Sequence, residues 1–400
     1  MKISDFVKVI DKKVASRYAK ATVEAGHFVE DYMHGRIDLA RDFKDVMEHK
    51  NEILTWGFTP HHYKFFLTRF IPEVLIHSQK QDERIIRGHY DDKNDLFNWF
   101  LGPRMIYTSC YFKDENETLE QAQDNKMDLI AQKMQLKEGE SLLDIGCGWG
   151  TLVTHFAKHY GVRSTGVTIA ESGAKWARTL IKENGVEDKA DILRMDYRDI
   201  PKDKKYDKIS CLEMAEHVGV KNFRKFMRQC YDLLEDDGIF YMQIAGLRER
   251  DSLFGGPDQE DIVWGLFMSE NIFSGADASM PLNWDIRQLE KAGFEVHSVE
   301  NIGIHYAKTI DAWYYNWMSN KDKVIAKYGE HTFRMYQVFL GWSVEIAKQG
   351  SSSAYQITCY KNLDKFNRGR FIGKTSLGES SGVKNTDSVS SKTTTEELVG

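Results

Sequence analysis

The segment Leu142-Leu143-Asp144-Ile145-Gly146-Cys147-Gly148-Trp149-Gly150 constrains the fold of this chain more than any other stretch. A short apolar run, ending at an acidic residue and three alternating glycines, reads as a buried strand, a tight turn and the start of a helix. Glycine lets the backbone approach a bound group closely, and a helix N-terminus offers free N–H groups with partial positive charge. A nucleotide-type cofactor at the carboxyl end of that strand is the general expectation for such a turn.

The pattern around it alternates. Helical spacing over 151–160 is followed by a strand over 164–168, a helix over 171–184 and a strand over 191–195. A strand over 208–212, a helix over 222–234 closed by Asp236-Asp237-Gly238, and a strand over 239–244 complete the series. This predicts βαβ units: a doubly wound, Rossmann-like α/β sheet, parallel and covered on both faces. Residues 246–282 make a long excursion before helical spacing resumes at 284–292, and excursions of that length carry lids or substrate walls. Residues 1–85 read mainly as helix, because strand-like alternation is scarce. Within them the stretch 56–76 sets Lys64 and Arg69 among Tyr63, Phe65, Phe66 and Phe70. It has two readings, a lipid-facing surface patch or a helix packed on the main domain, and the second is the commoner outcome. The division expected is a helical region at 1–85, a catalytic domain at 86–365 and a tail at 366–400. Its last part, 376–400, is rich in Ser, Thr, Gly and Lys and is read as disordered.

Composition narrows the function. With 42% hydrophobic and 28% charged residues the chain is globular, and its net charge of -6 lacks the basic footprint of a nucleic-acid protein. No run reaches the roughly 20 apolar residues of a membrane span. The N-terminus lacks the apolar core of a secretory signal. Cys110, Cys147, Cys211, Cys230 and Cys359 are odd in number and contain no CxxC pair, which argues against a disulfide framework and a structural zinc. A cytoplasmic enzyme without a metal is the expectation, with peripheral contact to a membrane left open.

The glycine spacing is GxGxG, not the GxGxxG of dinucleotide folds. Asp144, on the last turn of the strand, is in place to organise the loop and meet a cationic amino group, so the turn points to S-adenosylmethionine and to methyl transfer. Glu216-His217 follows the fourth strand, at the edge where such sheets bind ligands. A carboxylate beside an imidazole there can remove a proton or orient a nucleophile, although His217 can equally pack the turn. Cys110 is open to a site role or to that of a small buried hydrophobe. Tyr306, Trp313, Tyr314, Tyr315 and Trp317 could line an acyl channel or stabilise a cation. Ordinary core at helical spacing is the reading for most of them, Tyr306 excepted.

Five motifs then occur in order: His89-Tyr90-Asp91 with Asn94-Asp95, Met105 through Phe112, the glycine turn, Asp196-Tyr197-Arg198-Asp199, and Glu213-Met214-Ala215-Glu216-His217-Val218-Gly219. Over about residues 80–365 the chain resembles the cyclopropane-fatty-acid synthase family, which includes mycolic-acid cyclopropane synthases, sphingolipid C9-methyltransferases and plant alkaloid N-methyltransferases. Asp261 through Phe267 and Gly275 through Ser279 look most like the sphingolipid branch. The resemblance implies that Tyr90 and Ser109 meet the carboxylate end of S-adenosylmethionine. It implies that Gly146 and Gly148 line the methionine portion and that Tyr197 lies near the adenine; Gly150 and Asp196 are further cofactor-binding candidates, and ribose contacts fall to Thr168 or Ser172. In cyclopropane synthases a bicarbonate ion takes the proton from a cationic intermediate, and its ligands match Cys110, Glu216 and Tyr306. Two positions depart from the family pattern. Gln243 stands where a bicarbonate-binding His is found, beside Ala245 in place of Ile, and Gln can donate a hydrogen bond but carries no charge. Gly173 stands where mycolic-acid enzymes carry a Gln near the ribose. The reaction implied is methylation of a lipid double bond, at sphingolipid C9 or on a fatty-acyl chain; N- or S-methylation of a small soluble metabolite is the alternative.

Overall fold

The computed structural model describes residues 1–70, 93–249, 258–273, 280–365 and 367–372. Tyr90, residues 71–76 of the aromatic stretch, Gly275 through Ser279 and the tail at 376–400 lie outside the described residues.

Seven strands form the main sheet. They are β1 (Ser141–Ile145), β2 (Arg163–Thr168), β3 (Ala190–Arg194), β4 (Tyr206–Leu212), β5 (Leu234–Leu247), β6 (Phe294–Asn301) and β7 (Ser352–Lys361). Their order across the sheet is β3-β2-β1-β4-β5-β7-β6. The first five run parallel, while β7 inserts antiparallel to both β5 and β6. The five strands read from the sequence form the expected parallel, doubly wound core, and β6 and β7, which were not read, make the whole sheet mixed. The pattern of β7 hides it: Ser352, Ser353, Gln356, Thr358 and Lys361 are polar yet buried, so the strand does not read as an apolar run.

The helices used below are α1 (Asn94–Leu101), α2 (Leu119–Lys133), α3 (Thr151–Tyr160), α4 (Glu171–Glu183), α5 (Val220–Leu233), α6 (Gln259–Asn271), α7 (Leu282–Ala292), α8 (Gly303–Ser319) and α9 (Lys321–Lys348). Adjacent residues of β1 face opposite ways, as strand geometry requires. Leu142 packs in the cluster of Met127, Ile130 and Phe156, and Leu143 in that of Phe223, Phe226, Met227 and Leu289. Both faces of the sheet are thus covered by helices.

The N-terminal residues are less uniformly helical than their composition suggests. Short helices alternate with two small sheets, Val7–Val9 against Ile37–Leu39 and Val23–Glu24 against Leu54–Thr55. This region does not stand apart, because Phe28, Phe43 and Val46 share one core with Trp313, Tyr314 and Trp317 of α8 and Trp342 of α9. The aromatic run of α8 is mostly core, as expected, while Tyr315 is exposed. The stretch from Trp56 divides: His62 and Phe65 are buried and Trp56 stacks on Trp342, whereas Phe58, Tyr63, Phe66 and Leu67 are exposed. Among the described residues no helix is long and apolar enough to cross a membrane.

Candidate active site

The chain runs outward from β1 to β3 and then returns to place β4 on the other side of β1. Connections leave in opposite directions at β1 and β4, and the carboxyl ends of those two strands open a crevice, the place such sheets bind ligands. A cavity of about 200 Å³ lies there.

Its floor is the glycine turn. Gly146, Gly148 and Gly150 have φ of 85°, 55° and 78°, a region that L side chains rarely adopt. A Cβ on Gly146 would come within 2.5 Å of Met214, and one on Gly150 within 2.5 Å of Ala177 Cβ, so both glycines are required by packing as well as by backbone. A Cβ on Gly148 would meet nothing within 4 Å, because that residue faces the cavity. The loop is held from outside: Trp149 Nε1 donates to Asn94 Oδ1 of α1 at 2.8 Å, and Thr151 Oγ1 donates to the Arg104 carbonyl at 2.6 Å.

Asp144 is buried beside the turn and accepts a hydrogen bond from Ser210 Oγ at 2.7 Å. Burial pushes its carboxyl up to about 6, opposed by the Ser210 hydrogen bond and by the Lys126 ammonium. Lys126, on α2, also lines the cavity and donates to Thr108 Oγ1 at 2.6 Å. Its own pKa is lowered by burial, against the attraction of Cys110, Glu213 and Asp144. On the opposite wall stand Thr168, Asp196, Tyr197 and Arg198. The Asp196 carboxylate is gripped by Arg198, with Nε and Nη2 each at 2.7 Å, and the Tyr197 ring sits edge-on to Phe226 of α5.

Glu213 follows β4 directly, at φ 48°. Its backbone N–H donates to the Gln243 carbonyl at 2.7 Å. Its Oε1 accepts from Gln243 Nε2 at 2.7 Å and from Ser109 N–H at 2.8 Å. Burial raises its pKa, with Gln243, Ser109 and Lys126 pulling the other way. The candidates Ser109 and Gln243 therefore meet at a carboxylate that the sequence reading quoted in a motif without assigning it a part. The signal was its side-by-side placement with the last residue of a strand. What sequence could not show was that Leu212 pairs with Gln243 across β4 and β5, which brings the two side chains together.

His217 lines the same cavity and packs edge-on to Phe273. Cys110 is fully buried, its thiol pushed up to about 11 by desolvation, and its N–H donates to Thr309 Oγ1 of α8. The Tyr306 hydroxyl is held far above its ordinary pKa by burial and by the nearby Glu213 and Glu216 carboxylates, in that order. Glu216 points elsewhere. Its Oε1 accepts from Ala245 N–H at 2.6 Å, and the residue lines a smaller cavity with Asp285 and Trp284 of α7. Gly150 backs onto α4 and Ser109 lies beneath the lining, so neither opens on the main cavity.

The residues suit a sulfonium cofactor. Asp144, Asp196 and Glu213 set three carboxylates against the Lys126 ammonium and the Arg198 guanidinium around the cavity, an excess of negative charge matched to a cation, and the open face of Gly148 leaves room for close backbone approach.

The sequence family described as Mycolic acid cyclopropane synthetase matches residues 77–357. A sphingolipid C9-methyltransferase from Komagataella phaffii is 45% identical over 92% of this chain and 77% of its own length. Sphingolipid C9-methyltransferase 1 from Gibberella zeae is 47% identical over 85% of this chain and 66% of its own. Among solved structures, a mycolic acid cyclopropane synthase complexed with SAH and CTAB superposes with a TM-score of 0.66 at 26% identity, covering 72% of this chain and all (100%) of that one.

Proposed function

This chain belongs to the mycolic acid cyclopropane synthetase family and is an S-adenosylmethionine-dependent methyltransferase, and we propose that its acceptor is a carbon of a lipid double bond, C9 of an unsaturated sphingolipid. The observation that carries the reading is the 45% identity over 92% of the chain with a sphingolipid C9-methyltransferase.

S-adenosylmethionine, when bound, supplies an electrophilic methyl group. Gly146 and Gly148 would let the backbone close on its methionine portion, Asp144 would meet its amino group, and Asp196 with Tyr197 would flank its adenosine end. An alkene is a weak nucleophile, so the protein's contribution is alignment and exclusion of water. Met105, Ile106, Leu212 and Met214 give the cavity apolar walls suited to both tasks. Tyr107 extends them into the aromatic cluster of Phe97, Phe100 and Trp313. The exposed Phe58, Tyr63, Phe66 and Leu67, with Lys64 and Arg69 among them, support peripheral contact with a lipid surface that would supply such a substrate.

The test is mass spectrometry after incubation with deuterated-methyl S-adenosylmethionine, with lipid and polar cell extracts in parallel. Label on a branched sphingolipid chain is the expected result. Label confined to a polar amine or thioether would overturn the reading.

A further inference from the structure

Carbon methylation that keeps the double bond must dispose of a proton, and the structure holds a base in the right cavity. We propose that the Glu213 carboxylate is that proton acceptor, so that the reaction needs no added anion. The inference rests on the lipid reading above.

Three features carry it. First, the donors around Glu213 have a forced direction. Lys133 Nζ has only hydrogens to give, and it donates to Gln356 Oε1 at 2.6 Å while pairing with Glu300. The Gln356 amide therefore turns its nitrogen to Gln243 Oε1, at 3.1 Å, and the Gln243 nitrogen is left to face Glu213 Oε1. This chain of amides delivers a donor, never an acceptor, to the carboxylate. Second, the Ser109 N–H converges on the same oxygen. Oε2 makes no hydrogen bond among the described residues, on a side chain that lines the cavity. One oxygen is anchored and the other is available. Third, Glu213 sits at φ 48°, a conformation that costs about 1–3 kcal/mol for a residue other than glycine. A strained carboxylate under a mostly apolar cavity is a poor choice for packing alone.

The step balances. The alkene π pair forms a bond to the methyl carbon as the methyl–sulfur bond breaks, and that electron pair leaves with sulfur as S-adenosylhomocysteine. The cation left on the neighbouring chain carbon is quenched when the methylated carbon gives its hydrogen to Glu213 as a proton, and the C–H pair restores the double bond. No oxidant or reductant is required. The raised pKa of the half-buried carboxyl makes it a better base than an exposed one.

Glu213→Gly tests this directly, because glycine accepts the positive φ and leaves space for a small anion. The wild type, Glu213→Gly and Glu213→Gln are assayed with deuterated-methyl S-adenosylmethionine and an unsaturated sphingolipid whose double bond includes C9. Each runs in carbon dioxide-free buffer, then with formate or bicarbonate added. Wild-type turnover is expected to ignore added anions. Glu213→Gly should lose roughly 100-fold in kcat and recover about tenfold with formate or bicarbonate. Glu213→Gln, which fills the site, should be equally slow without rescue, and it carries the test if the glycine variant fails to fold. A wild type that labels the lipid only when bicarbonate is added, or a Glu213→Gln variant at full speed, overturns the base alone. A wild type that labels no lipid overturns the lipid reading, and the base falls with it.

Discussion

The carbonyl oxygen of Gly148 lies 2.9 Å from the point that a Cβ on Gly173 would occupy. Real Cβ atoms do not tolerate that distance to backbone, so α4 can approach the glycine turn this closely only with glycine at 173. The departure from the mycolic-acid pattern is thus tied to how tightly the turn is backed. Gly173→Gln is expected to push the turn into the cavity and weaken S-adenosylmethionine binding about tenfold, close to 1.4 kcal/mol. Isothermal titration calorimetry checks it, and an unchanged Kd would show that the helix gives way instead.

Gly150 is held from both directions, by φ 78° and by Ala177 Cβ at 2.5 Å from any added Cβ. Gly150→Ala should cost roughly 2–4 kcal/mol of stability from backbone strain and overpacking together. The urea midpoint measures it; a loss below about 1 kcal/mol would mean that the turn is softer than its packing indicates.

Gln243→Leu removes the donor to Glu213 Oε1 and strands Gln356 Nε2 at once. Leaving the buried Gln356 amide nitrogen unsatisfied costs about 1–3 kcal/mol. Losing a hydrogen bond to the ionised form also raises the Glu213 pKa further. A base must be ionised to act, so the acid limb of the pH–kcat profile should move to higher pH in the variant. A limb that stays in place would separate Gln243 from the proton transfer.

The smaller cavity predicts a pH dependence of stability. Burial pushes Glu216 and Asp285 each up to about 8, and the negative charges of Glu213 and Asp285 add to the shift at Glu216. A folded-state pKa above the unfolded one means stability that is complete below the unfolded value, about 4, and is lost as pH rises towards the folded one. The Tm should therefore fall between about pH 4 and pH 8, and Glu216→Gln should flatten the decline. Calorimetry across that range decides, and an identical slope in the variant would place the loss elsewhere.

Much of the fold was legible because local signals and the tertiary context agree along β1 to β4. The helix over 151–160 has the observed limits, Thr151–Tyr160, because Gly150 and Gly161 both adopt left-handed φ at its ends. β5 extends from Leu234 to Leu247, past the apolar run read at 239–244, because Leu234 pairs with Tyr206 of β4 ahead of a register shift, and Ala245, Gly246 and Leu247 pair with Ala354, Ser353 and Ser352 of β7. β6 and β7 were missed, since the buried polar residues of β7 draw their compatibility from partners such as Lys133, which no periodicity reveals.

At the site the division is sharper. The glycine turn, with Asp144 beside it, was fixed by local chemistry: only glycine reaches those φ values, and a strand ending in an acidic residue before a helix has few other uses. Which carboxylate of the Glu213–Glu216 segment faces the cavity was not local. Three residues apart after a strand, either could turn inward, and the choice was made by the β4–β5 register, which sets Gln243 beside Glu213 and the Ala245 N–H beside Glu216. Sequence determined that this chain builds a cofactor turn at a strand end. Tertiary structure alone decided which carboxylate stands over it, because hydrogen-bond donors from a distant strand hold each one where it is.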